Sequence, residues 1–204
     1  MKRILNERAA QTAAAVMEAV CYLLVGFAGL CLVLACLGRQ TFALRVGGEY
    51  YERAIYAEEK PGEANYLLVH SPDDVRVTAN AAGEVELATH IGLTLMYAAE
   101  VLPLLFAYWF LGRLFANVGR GQIFVEENAR YLLAYGLIQF ATSLLAPLVK
   151  LFLQWITNQL AGSQIALSAG GNLLNGLVPG IACLVAAYIL HHGIALQDEV
   201  DHTL

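Results

Sequence analysis

Residues Ile91–Leu111 read IGLTLMYAAEVLPLLFAYWFL, 21 residues with a single charge, Glu100, close to the middle. At about 1.5 Å rise per residue, a helix of this length covers roughly 30 Å, the thickness of a bilayer's hydrocarbon core. The stretch reads as a membrane-spanning helix that carries a carboxylate where a carboxylate is costly. Pro103 lies inside it and is a kink point.

Composition places the whole chain in the same class. Of 204 residues, 58% are hydrophobic and 14% charged, against about 25% charged in ordinary soluble domains. The expected fold is an all-α membrane protein. It consists of a four-helix transmembrane bundle with a small, partly β extracytoplasmic insertion between the first two spans. The length suits a single membrane domain over residues 1–204. The net charge of −5 comes mostly from loops, and no basic patch points to nucleic acid. Cys21, Cys31, Cys36 and Cys183 all sit in apolar runs, with no CxxC pair, and read as small buried hydrophobes.

Upstream, Met1–Gln11 is short and basic, and Ala13–Leu37 is apolar apart from Glu18. A secretory signal also runs from basic to apolar, but its apolar core is ~7–15 residues. The longer run here favours a retained first span over about 13–37. Val33–Cys36 loosely resembles a lipoprotein cleavage box, but the stretch before it is too long. Gly38–His90 changes character, with five basic residues against nine acids. Pro61-Gly62 and Ser71–Asp74 are turn signals. Val75–Thr78 and Glu84–Leu87 alternate apolar and polar around Asn80–Gly83, which predicts a β-hairpin, and Tyr66–Val69 is a candidate further strand.

Downstream, Gly112–Asn128 is a compact loop, and Glu126-Glu127 suit a helix N-terminus. The third span covers Tyr131–Val149, uncharged for 19 residues, with Pro147 near its end. Lys150 then marks the boundary and is expected to snorkel. No Asp, Glu, Lys or Arg occurs from Leu151 to Gln197. Within that run Ala161–Gly176, rich in Gly, Ser and Asn, predicts a hairpin near the membrane surface. Leu173–Leu190 forms the fourth span, with Pro179-Gly180 as a kink point. The tail is acidic.

Lysine and arginine near span ends mark the cytoplasmic side. Three basic residues at the N-terminus, and Arg113, Arg120 and Arg130 around the second loop, place both termini inside. The five basic residues of the first long loop count against this, but that loop approaches the ~60 residues beyond which the rule loses force. In this arrangement Glu100 is level with Thr142 and Ser143, with Asn175 a turn further out. The four form a candidate intramembrane polar cluster. Two readings stand: an ion or proton site, or a neutral Glu acting as interhelical glue. Glu100 is taken here to have no basic partner. On the cytoplasmic side Asp198, Glu199 and Asp201 of the tail are placed to face Arg113, Arg120 and Arg130. That contact surface either locks the helix ends or docks a partner.

Enzymatic signals are missing. There is no phosphate-cradling glycine loop, no HExxH and no GxSxG. Ser163 and Ser168 have no evident activating base. Adjacent His191 and His192 point apart on a helix, so neither a metal nor another cofactor is expected.

Gly121-Gln122-Ile123-Phe124 with Glu127-Asn128, and the ending Gly193-Ile194-Ala195-Leu196-Gln197-Asp198-Glu199-Val200-Asp201-His202-Thr203-Leu204, resemble a bacterial membrane-protein family known as domain of unknown function 2975. The resemblance covers Ala13–Leu37 and Ile91–Leu204, and Gly38–His90 carries no matching motif. It implies four spans in the bacterial inner membrane. Family members often appear beside small helix-turn-helix regulators, which implies a signalling or regulatory role. Two functions therefore stand: a sensory or regulatory membrane component with a cytoplasmic regulatory protein as partner, and a small transporter or channel using Glu100. The lipid bilayer is the expected surrounding, direct nucleic-acid binding is not expected, and a homo-oligomer is compatible with the sequence.

Overall fold

The computed structural model describes residues 2–46, 48–54, 69–70, 75–167 and 174–203. Four long helices dominate: α1 (Lys2–Cys36), α2 (Leu87–Gly119), α3 (Glu126–Leu160) and α4 (Leu174–Thr203). Strands β1 (Gln40–Val46), β2 (Glu49–Ala54), β3 (Val69–His70) and β4 (Val75–Thr78) lie between α1 and α2, and β5 (Gln164–Leu167) lies between α3 and α4. Each helix contains a stretch long and apolar enough to cross a membrane: Arg8–Cys36, Leu87–Gly119, Glu126–Leu160 and Gly176–Gln197. The spans expected from sequence fall on these helices, which run further.

One extension follows Lys150. The charge reads as a span end, yet α3 continues to Leu160, and Leu151, Phe152 and Trp155 beyond it expose more than half their surface. Helix ends have local causes. Gly38 (φ 74°) and Gly121 (φ 81°) adopt the left-handed conformation. After α1, Gly38 N–H bonds to Ala35 O and Arg39 N–H to Leu34 O; after α2, Gly121 N–H bonds to Val118 O and Gln122 N–H to Asn117 O. Both are Schellman caps, which satisfy the last carbonyls and reverse the chain where glycine pays no Cβ penalty.

The chain divides into two compact units. The first joins Met1–Phe27, Pro103–Leu144 and Leu173–Leu204, and is helical. Here α1 meets α2 where Tyr22 stacks edge-on against Trp109, centroids 5.6 Å apart. Helices α2 and α3 meet through Tyr108–Tyr135 and Phe110–Tyr131 ring contacts. Helix α4 lies against α3 backbone to backbone. A Cβ on Gly180 would fall 2.9 Å from Phe140 N, one on Gly136 3.0 Å from Gly180 O, and one on Gly176 onto the Ser143 hydroxyl. Gly176 and Gly180 form a GxxxG pair, the spacing that lets apolar helices approach closely.

The second unit joins Ala28–Leu102 and Leu145–Asn172. Its five-stranded sheet has the order β2-β1-β4-β5, with β3 paired to β1. β1 is antiparallel to β2, in the register Ala43↔Glu52. It is parallel to β3 at Gln40–Thr41 and to β4 at Ala43–Arg45. β4 is antiparallel to β5, Val77 opposite Ile165. Alternation along the strands turns Phe42, Leu44, Val75, Val77 and Ile165 onto one face, where Leu93 and Met96 of α2 complete a buried core and Leu153 of α3 packs against it. Cys31, Leu34 and Ala35 of α1 bury against Tyr97 of α2. Cys36, expected to be buried, is exposed.

The sheet corrects the expected hairpin. Val75–Thr78 is a strand, but its partners are β1 and β5; Glu84–Glu86 is irregular and Leu87 opens α2. The cause is side-chain chemistry. Asn80 Oδ1 accepts from the backbone N–H groups of Ala82 (3.0 Å) and Glu84 (2.9 Å) and closes a local turn. Glu86 Oε2 accepts from Gly162 N–H (3.0 Å) and its backbone N–H bonds Ser163 Oγ (3.3 Å), so Glu84–Glu86 leads away from β4. Of the further strand, Val69 belongs to β3, whereas Tyr66–Leu68 and both predicted turns, Pro61-Gly62 and Ser71–Asp74, lie outside the described residues. Part of the predicted Ala161–Gly176 hairpin is β5, and residues 168–173 lie outside the described residues.

β5 is tied to α3 by two side chains, chiefly Asn158. Asn158 Nδ2 donates to Ile165 O (2.9 Å), Asn158 Oδ1 accepts from Ile165 N–H (2.7 Å), and Gln154 Nε2 donates to the same carbonyl (3.0 Å). Asn158 thus acts as a further strand partner. Asn158→Leu removes both amide bonds at similar volume and is expected to cost about 1–3 kcal/mol. Hydrogen exchange in detergent should show faster exchange at Ile165 while the α3–α4 amides of the first unit keep their protection.

Candidate functional site

Two places concentrate polar chemistry among the described residues. The first is the α2–α3 loop. Asn128 is 1% exposed on the first turn of α3. Its Nδ2 donates to the carbonyls of Gln122 (2.7 Å) and Ile123 (2.9 Å), and its Oδ1 accepts from Asn117 Nδ2 (2.9 Å). One buried amide therefore holds the loop that Gly121 turns, and leaves Ile123 and Phe124 about half exposed. A Cβ on Gly193 of α4 would sit 3.9 Å from the Phe124 ring. The two sequence motifs, one before α3 and one in the tail, are therefore neighbours. Asn128→Ala leaves two carbonyls and the Asn117 amide without this partner and is expected to lower stability by about 1–3 kcal/mol. Thermal unfolding in detergent checks it, and an unchanged midpoint would contradict the staple.

Arg113, Arg120 and Arg130 are all exposed around this loop, as is Glu199 on α4. Arg130 donates to Glu126, four residues back on its own helix (2.7 Å). The expected surface counted Arg130 toward the acidic tail; an i, i+4 partner on the same helix needs no tertiary contact. The side chains of Asp198 and Asp201 lie outside the described residues.

The second place is the ion pair between Glu100 of α2 and Lys150 of α3, both in the sheet-bearing unit. The lysine side chain is 5% exposed and the glutamate 34%. Glu100 thus has the basic partner that the sequence reading denied it, and Lys150, expected to snorkel, is buried. The physical reason is that two opposite charges on neighbouring apolar helices neutralise each other more cheaply than either can alone. Thr142 and Ser143 belong to the other unit. Ser143 Oγ donates to Gln139 O, 2.8 Å away on its own helix. The Asn175 side chain lies outside the described residues. A lone lysine close to Pro147, the single charge between Arg130 and Asp198, is the signal that could have identified the pair.

At the sheet end, Ser163 is fully buried and its Oγ lies 2.6 Å from Thr89 Oγ1; it anchors the start of α2. Beside it, Arg45, Val46, Gly48, Thr78, Asn80 and Gly83 line a groove of about 310 Å³. Gly48 (φ 102°) and Gly83 (φ 79°) turn its walls.

The fold and these sites define a class: a mostly helical protein with four helices long and apolar enough to cross a membrane and one small sheet. The family described as protein of unknown function (DUF2975) matches residues 53–204, and the chain belongs to it. The match includes residues 53–90, most of Gly38–His90, where no motif carries the resemblance, and leaves out α1. No curated protein and no solved structure matches the chain.

Proposed function

We propose that the chain is a regulatory component of a cell membrane. In this reading four helices cross the bilayer with both termini in the cytoplasm. The five-stranded sheet lies outside, where the groove beside Arg45 takes the signal. The Asn128-held loop and the end of α4 dock a cytoplasmic regulatory protein. The observation that carries the reading is an asymmetry. The α1–α2 and α3–α4 connections supply the strands of a sheet with its own core. The α2–α3 connection is short, held by one buried amide, and presents Ile123, Phe124 and Arg120 to solvent. The reading assigns no catalytic step. A transporter would use Glu100 as its ion site, but Lys150 occupies that carboxylate.

The test is an affinity pull-down of the full chain from native membranes in mild detergent. A cytoplasmic regulator recovered with the full chain and lost on deletion of Gln197–Leu204 supports the reading. Recovery of the chain alone speaks against it, and ion flux in liposomes that the folded Glu100→Gln/Lys150→Met double variant abolishes would replace it with transport.

A further inference from the structure

Within the helical unit, α3 and α4 leave a groove of about 300 Å³ next to the α2–α3 loop, at the lower end of ligand-pocket volumes. Small residues make the space: Ala129 is 6% exposed and Ala187 3%, and Leu133 and Leu184 wall it. The groove opens onto an apolar surface, since Leu137, Val185 and Ile189 on the same two helices are each more than half exposed. Its rim is polar. Glu126 and Arg130 form the 2.7 Å ion pair described above, and Tyr188 and His191 of α4 complete the lining. The ion pair lies on the first turns of α3, immediately before the uncharged run that starts at Tyr131.

We propose that this groove binds a phospholipid with a phosphoethanolamine headgroup, one acyl chain lying along Ala129 and Ala187. The proposal rests on the reading that α3 and α4 cross a bilayer. Charge complementarity selects the occupant. The Arg130 guanidinium presents several N–H donors to a phosphate. The Glu126 carboxylate accepts hydrogen bonds from a primary ammonium. An adjacent cation and anion, both more than half exposed, match the adjacent phosphate and ammonium of one headgroup. Phosphatidylglycerol offers the phosphate but only neutral hydroxyl donors to Glu126, without the charge of an ammonium, and the trimethylammonium of phosphatidylcholine has no N–H to donate. Tyr188, apolar in its ring and polar at its hydroxyl, suits the interface between chain and headgroup.

The test is native mass spectrometry of the full chain in detergent, after incubation with equal amounts of phosphatidylethanolamine, phosphatidylglycerol and phosphatidylcholine of matched acyl chains. The first should be retained about tenfold over the other two, the effect of one charge-assisted hydrogen bond. Arg130→Gln should lower its retention by about the same factor. Glu126→Gln should remove the preference over phosphatidylglycerol while retention persists. Leu133→Trp fills the groove with both headgroup contacts intact and should also cut retention. Equal retention of the three lipids, or wild-type retention in folded Arg130→Gln and Leu133→Trp variants, overturns the proposal. Membrane embedding is read separately by alkaline carbonate extraction. A chain released as soluble protein overturns both readings; a chain that stays in the membrane and selects no lipid overturns this one alone.

Discussion

Glu100→Gln is expected to destabilise the protein by about 3–5 kcal/mol, because it leaves the Lys150 ammonium buried without its counter-charge. Lys150 is 5% exposed, so its ammonium has little water to fall back on. Lys150→Met leaves the opposite orphan, a carboxylate on a side chain that is a third exposed, and should cost less, about 1–3 kcal/mol. The double variant Glu100→Gln/Lys150→Met removes both charges together and should return to within about 1 kcal/mol of wild type, since replacing a whole buried pair is often near neutral. Denaturation of the purified chain in detergent measures all three. Additive losses in the double variant would show that the two side chains act independently. The cycle also bears on function. Loss of activity in Glu100→Gln alone reports misfolding as readily as a missing ion site, so the double variant is the correct comparison in any flux or signalling assay.

The second large effect is expected where α3 and α4 cross. A Cβ at Gly180 meets Phe140 N at 2.9 Å and Gly136 O at 3.2 Å. These are backbone atoms, which cannot swing aside as a side chain tip does, so the helices must separate. Gly180→Leu should therefore cost at least the ~3 kcal/mol upper value typical of overpacking, and lower the unfolding midpoint in detergent sharply. Gly26→Ala is the matched control. Nothing lies within 4 Å of a Cβ there, and alanine raises helix propensity by up to ~1 kcal/mol, so that variant should be neutral or slightly more stable. Similar losses at both positions would indicate a general intolerance of substitution in these helices rather than a crossing at Gly180.

The helices were the most legible part of the chain because their signal is local. A run such as Ile91–Leu111 needs no partner to be recognised; its length and lack of charge suffice. The acidic start of α3 at Glu126-Glu127 was legible for the same reason, whereas the compact loop expected over Gly112–Asn128 is helical as far as Gly119. The Gly176–Gly180 spacing was present as well, but glycine spacing says that a helix can approach another closely, without naming which. Strand pairing was the least legible. Val75–Thr78 alternates as a strand should, yet alternation carries no address for the partner. β5 joins the sheet from the far side of α3, and the nearer segment Glu84–Leu87 goes to a turn and a helix start.

The polar sites divide along the same line. Asn128 stood in the motif as a letter between a glutamate and the third span. Its role depends on Asn117 and on the carbonyls of Gln122 and Ile123, which converge only after Gly121 has reversed the chain. Lys150 was read from its neighbours in sequence, as the end of an apolar run. Its partner Glu100 lies on another helix, and a charge in an apolar environment is settled by what sits across from it rather than by what adjoins it. By itself the sequence determined four apolar helices, the acidic start of α3 and the family, because these are short-range properties of composition and spacing. The tertiary structure alone decided the strand order, the Glu100–Lys150 pair, the α3–α4 crossing at Gly136 and Gly180, and the staple at Asn128. The first three are contacts between residues distant in sequence, and the staple needs the chain reversal at Gly121; the free energy of each exists only once both sides have been brought together.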